Sequence, residues 1–195
     1  MKRLFTLVVL VAAALTVAVT ASAGGGKLKC FADSPATCTL NSATSATIDS
    51  TQGGDAGVYL TNGKSTNGTP IANADFSFTF FCANTTDLSS CSGGGAVRWS
   101  IPINTDGNSK TTEGYAFLDG ANCLSGGTQP SGGELTVSTP VATCPVFFGA
   151  GSYTNWDAFA AANPTYTISG ALPFVISDVA TAEAAIVSNV NSTKA

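Results

Sequence analysis

Histidine is absent from all 195 residues. Its absence excludes Ser-His-Asp and Cys-His catalysis, the paired-histidine metalloprotease helix, and histidine-ligated metal or haem. Charge is scarce as well, with eight Lys and Arg against twelve Asp and Glu. An acidic chain with so few bases has no electrostatic footprint for nucleic acid or an anionic membrane. There is no CxxC, no GxSxG and no phosphate-loop motif. Gly93-Gly94-Gly95, Gly126-Gly127 and Gly132-Gly133 therefore read as turn glycines. A Ser–Lys dyad would have to use Lys64 or Lys110, and both stand in turn-like sequence.

What the chain does have is a long apolar run at one place, its start. Lys2 and Arg3 precede Leu4 to Val19, and Ala21-Ser22-Ala23 follows with the small-x-small pattern of a cleavage site. This predicts a secretory signal peptide over 1–23. Removing 23 residues from 195 leaves 172, a length for one domain with a sizeable core. Six bases remain, Lys27, Lys29, Lys64, Arg98, Lys110 and Lys194, against the twelve acids, a net charge of −6 with termini ignored. No later run reaches the ~20 apolar residues that span a bilayer. The expectation is a secreted, extracellular protein without membrane insertion.

Six cysteines, an even number, follow the predicted signal, and in an exported chain that implies disulfides. Fifteen connectivities are open in principle. The cysteines fall as three local pairs separated by Gly, Ser, Thr and Pro, so Cys30–Cys38, Cys82–Cys91 and Cys123–Cys144 are expected. A thiolate metal site lacks both CxxC spacing and histidine.

Residues 24–52 form a polar segment or edge strand, with the β-sandwich domain expected over 53–195. Val58-Tyr59-Leu60 is a short strand ahead of the Asn62-Gly63 turn. In Asp75 to Cys82, Phe76, Phe78 and Phe80 share one face, with Ser77 and Thr79 on the other. Val97, Trp99, Ile101 and Ile103 alternate in the same way against Arg98, Ser100 and Pro102. A three-residue turn at Asp106-Gly107-Asn108 would set Trp99 opposite Tyr115 and Val97 opposite Phe117. Leu135 to Val137, Val146 to Phe148, Thr165 to Ser169, Leu172 to Val179 and Ala185 to Val190 are further strands. One short helix is expected, capped by Thr154, carrying Trp156 and Phe159 on one side and stopped before Pro164.

This pattern predicts an all-β fold, an antiparallel jelly-roll-like β-sandwich with one short helix and disulfides. An immunoglobulin-like sandwich ranks second, because the central cysteines stand too close together for its inter-sheet bridge. Arg98-Trp99-Ser100-Ile101-Pro102-Ile103-Asn104-Thr105-Asp106-Gly107 with Gly114-Tyr115-Ala116-Phe117 resembles a pattern of uncharacterised secreted bacterial proteins. So do Tyr153-Thr154-Asn155-Trp156-Asp157-Ala158-Phe159 and Pro173-Phe174-Val175-Ile176-Ser177-Asp178. The resemblance spans roughly the C-terminal half. It implies a β-sandwich and assigns no activity.

For a secreted sandwich the expected role is a non-enzymatic ligand-binding or extracellular structural module, with a glycan as the first ligand class. Arg98, Tyr59, Tyr153 and Tyr166 are the candidate ligand-binding residues. No catalytic residue, metal ligand or cofactor is assigned. A two-carboxylate glycosidase is the alternative; its glutamates would come from Glu113, Glu134 and Glu183, which form no cluster in sequence. Assembly through an exposed edge strand is a third reading. Asn104-x-Asp106-x-Asn108 begins like a calcium loop but lacks the glycine and the glutamate spacing of an EF-hand. A structural calcium elsewhere would draw on Asp55, Asp119 or Asp178. Sequons at Asn67, Asn84 and Asn191 carry meaning only in a eukaryotic host, whereas the short signal looks bacterial.

Overall fold

Strand periodicity in this chain is strongest where phenylalanine alternates with small polar residues, and there the core forms. The computed structural model describes residues 26–82, 97–123, 134–139, 144–178 and 184–194. The predicted signal peptide, Cys91, the Asn84 sequon, the three glycine clusters and Glu183 lie outside the described residues. The strands are β1 (Leu28–Ala32), β2 (Thr37–Leu40), β3 (Ser45–Asp49), β4 (Ala56–Leu60) and β5 (Ala74–Cys82). Then come β6 (Arg98–Asn104), β7 (Gly114–Asp119), β8 (Glu134–Ser138), β9 (Val146–Phe148) and β10 (Gly151–Tyr153). Last are β11 (Thr167–Ile168), β12 (Phe174–Ser177) and β13 (Ala184–Lys194). A one-turn helix α1 (Gly120–Cys123) follows β7, and α2 (Trp156–Ala162) follows β10.

All pairings are antiparallel and fall into two sheets. Sheet A runs β1-β4-β12-β6-β7-β9-β10, with β11 pairing on β6; sheet B runs β2-β3-β13-β5-β8. The expected all-β antiparallel sandwich is the architecture. Residues 28–49 contribute β1 to the rim of sheet A and β2 and β3 to the rim of sheet B.

The two sheets meet through aromatic side chains. Phe76, Phe78 and Phe80 of β5 and Val97, Trp99, Ile101 and Ile103 at β6 are all fully buried. The Trp99 ring stands edge-on to Phe76 at 5.4 Å and to Phe78 at 6.3 Å, the arrangement that aromatic quadrupoles favour. Along sheet A one inward-facing row crosses six strands: Val58, Val175, Trp99, Leu118 and Val146, all buried, and the half-buried Tyr153 are successive cross-strand partners. In sheet B the long β13 lies between β3 and β5, with a bulge between Ser188 and Asn191. Asn189 takes φ of 51° there, a conformation asparagine tolerates better than most residues.

Two local expectations are corrected. The β6–β7 register pairs Trp99 with Leu118 and Pro102 with Tyr115, not Trp99 with Tyr115. The offset is odd, so Tyr115 and Phe117 turn away from the core and Ala116 and Leu118 enter it. The cause is Asn104, which is fully buried and organises a long connection in place of a tight turn. Its amide lies 2.9 Å from Asp106 Oδ1, 2.6 Å from the Asn108 carbonyl, 3.2 Å from Thr111 Oγ1 and 3.1 Å from Glu113 Oε2. Helix α2 is capped by Asn155, whose Oδ1 accepts from Ala158 N–H at 2.8 Å, one residue later than the Thr154 expected.

Cys30–Cys38 and Cys123–Cys144 are bonded as expected. Cys82 is disulfide-bonded as well, and its expected partner Cys91 lies outside the described residues. Cys30 is on β1 and Cys38 on β2, so this bridge ties sheet A to sheet B at their rims. Closing a loop with a sequence separation of 8 restricts the unfolded chain by about 2–3 kcal/mol. Replacing both residues by alanine should lower the unfolding free energy by that amount in urea titration. An unchanged midpoint and slope would show that the rim strands need no staple.

Candidate functional site

The outer face of sheet A is built from the alternate residues of strands whose other faces form the core. In a sheet covered on one side, such positions are normally polar. Here five of the twelve positions in two adjacent rows are aromatic. One outward row runs Lys29, Tyr59, Phe174, Ser100, Phe117, Phe147 and Ser152 from β1 to β10. The neighbouring row is Phe31, Gly57, Ile176, Arg98 and Asp119. Tyr59, Phe174, Phe117, Phe147 and Phe31 are all half-buried, neither core nor free surface.

Small residues between the large ones shape this face. A Cβ on Gly57 would come within 2.4 Å of the Phe31 ring, so only glycine lets that ring lie across β4. Phe31 then meets Phe174 edge-on at 5.6 Å, and Phe174 meets Tyr115 at 5.6 Å. A groove of about 380 Å³ opens over β1, β4 and β12, lined by Phe31, Tyr59, Leu172, Phe174 and Ile176 with Asp33 and Asp55.

A second hollow of about 360 Å³ lies farther along the same face, lined by Arg98, Phe117, Asp119, Asn122 and Phe147. Arg98 projects outward from the second row. Its guanidinium carbon sits 5.0 Å from the centre of the Phe117 ring, and Nη2 pairs with Asp178 Oδ2. Its buried Nε finds no acceptor among the described residues. The alternation of β6, with Ser100 in the same phase as Arg98, suggests small neighbours such as Ser100, Gly114 and Ala116 around this arginine. Ala116 instead points into the core, and aromatic and acidic groups surround the guanidinium.

Of the four candidate ligand-binding residues, Tyr59 and Arg98 share this outer face. Tyr153 and Tyr166 lie elsewhere, in an aromatic cluster with α2: Tyr153 stands 5.0 Å from Phe159, and Tyr166 stands 5.8 Å from Phe148 and 6.3 Å from Phe159. Phe31, Phe117, Phe147 and Phe174 were not read as site residues. The visible signal was the adjacent pair Phe147-Phe148, since neighbours on a strand cannot share a face.

The carboxylates weighed for hydrolysis and calcium are dispersed. Glu113 Oε2 accepts from Thr105 N–H at 2.8 Å and from the Asn104 amide, so it serves the β6–β7 loop. Glu134 opens β8 in the other sheet. Asp178 pairs with Arg98, and Asp55 and Asp119 line different hollows. Among the described residues no three acidic or cysteine side chains gather as a metal site. No helix among them is long and apolar enough to cross a membrane. Comparison with protein-family models, with curated proteins and with solved structures finds no match.

Proposed function

We propose that this chain is a secreted, non-enzymatic β-sandwich module that binds an extracellular glycan on the outer face of sheet A. The observation that carries this reading is the outward row of half-exposed rings that crosses the sheet. From Tyr59 on β4 to Phe147 on β9 the row spans four strand spacings, roughly 19 Å, room for several units of a sugar chain. Flat rings offer apolar platforms, and Arg98, Asp33, Asp55 and Asn122 offer hydrogen-bond partners at their sides. Few well-placed polar groups among aromatic ones is the usual character of a ligand site. Disulfides support an oxidising, extracellular setting. The rim strands β1, β2, β8 and β10 have only three to five residues each, which favours binding over edge-to-edge assembly.

A glycan array probed with the oxidised protein, with and without EDTA, tests this reading. Binding to one glycan class that survives EDTA is expected. Tyr59→Ala should then weaken binding by about tenfold or more, the scale of losing an anchoring aromatic. Tyr153→Ala should lower the melting temperature and leave affinity unchanged. An array without signal, or equal loss of affinity in both variants, would overturn the assignment of this face.

A further inference from the structure

The groove over β1, β4 and β12 is lined by two aspartates that no cation among the described residues answers. Asp33 and Asp55 line it beside Phe31, Tyr59 and Phe174. Their backbones are tied together, with Asp33 N–H donating to the Asp55 carbonyl at 2.8 Å. Neither side chain makes a hydrogen bond or ion pair among the described residues, where the salt bridge found is Arg98–Asp178. No lysine or arginine lines the groove. Lys29, the nearest base along β1, is exposed and stands opposite Tyr59 without forming part of the lining.

Two unanswered anions beside aromatic rings are the complement of an ammonium group. The ring faces attract a cation through their quadrupole, and the carboxylates accept its hydrogen bonds. A neutral, hydroxyl-bearing ligand would cover the rings but leave both charges uncompensated. An anionic ligand would be repelled. The geometry points to a ligand with a protonated amine and, resting on the glycan-binding reading, to an amino sugar whose amine is free rather than N-acetylated. The groove thus sets the charge of the sugar, while the rest of the aromatic face holds the chain beyond it.

The test titrates the full oxidised protein with three tetrasaccharides, of glucosamine, N-acetylglucosamine and glucose, and separately with tetramethylammonium as a bare cation. Calorimetry reads affinity, and NMR reads the ring resonances of Phe31, Tyr59 and Phe174. The glucosamine tetramer is expected to bind about tenfold more tightly than either neutral sugar, and added salt should erode that preference. Asp33→Asn with Asp55→Asn should abolish the preference at an unchanged melting temperature. Should the double variant fold poorly, Asp33→Asn alone, at an exposed position, should cut the preference by about half on a logarithmic scale. Equal binding of all three sugars would overturn the free-amine assignment and leave the glycan reading standing. Ring shifts with tetramethylammonium but no sugar binding would support the cation groove and end the glycan reading. No response to any of the four probes would end both.

Discussion

Trp99→Ala should lower the unfolding free energy by about 3–5 kcal/mol, the largest effect expected of any single substitution here. Trp99 is fully buried at the middle of sheet A, between Val175 and Leu118 in the core row, with its ring against Phe76 and Phe78 of the opposite sheet. Truncation opens a cavity where the two sheets meet, and strands on both sides hold its walls apart, so little of it can collapse. The indole N–H, however, finds no acceptor among the described residues. Trp99→Phe therefore keeps most of the contact area and removes an unpartnered buried donor. Trp156 supplies the contrast: it is also buried, but its Nε1 donates to the Ile71 carbonyl at 2.9 Å. Trp156→Phe should consequently cost about 1 kcal/mol more than Trp99→Phe. Urea titration of the three variants decides it, and the reverse order for the two phenylalanine variants would refute this account of the indole groups.

The second large effect is expected at Asn104. Its amide has two N–H groups and four acceptors within reach, and its Oδ1 accepts from Gly107 N–H at 2.9 Å. Two of those acceptors are the carboxylates of Asp106 and Glu113, and hydrogen bonds to charged groups are the stronger kind. Asn104→Ala should cost about 3 kcal/mol and release the β6–β7 loop. Acid should act on the same loop. The Asn108 backbone N–H first, and the Asn104 amide second, hold the Asp106 carboxyl below its ordinary value. A carboxylate whose folded pKa is lowered adds stability that is complete above its unfolded value, about 4, and fades as pH falls through the lower folded value. Between about pH 5 and pH 2 the wild-type chain should lose stability more steeply than Asn104→Ala, as read by the unfolding free energy at each pH. Identical slopes would show that Asp106 is not linked to folding through Asn104.

Much of the fold was legible where polar and apolar residues alternate cleanly. Phe76, Phe78 and Phe80, and Val97 to Ile103, were readable because serine, threonine or arginine marks the other phase. The two bonded cysteine pairs were readable because the members of each stand close in sequence, 8 and 21 residues apart, with Gly, Ser, Thr and Pro between them. The outer aromatic face was not readable, and the reason is visible in Tyr115-Ala116-Phe117-Leu118. Both phases of that strand are apolar, so composition cannot say which one is buried, and the larger pair looked like core. Only the register set by Asn104 decides the question, through a buried amide that in the sequence stands out only as the start of a calcium-loop-like run. Gly57 was equally silent, because its role is to leave room for a ring contributed from another strand.

Sheet B has a property of timing as well as of structure. Its middle strand is β13, the last of the thirteen among the described residues, and it fills the gap between β3 and β5, which are more than a hundred residues earlier. A nascent chain can therefore assemble neither half of that sheet around its partner until residues 184–194 have emerged. Until then β3 and β5 have no strand between them to pair with.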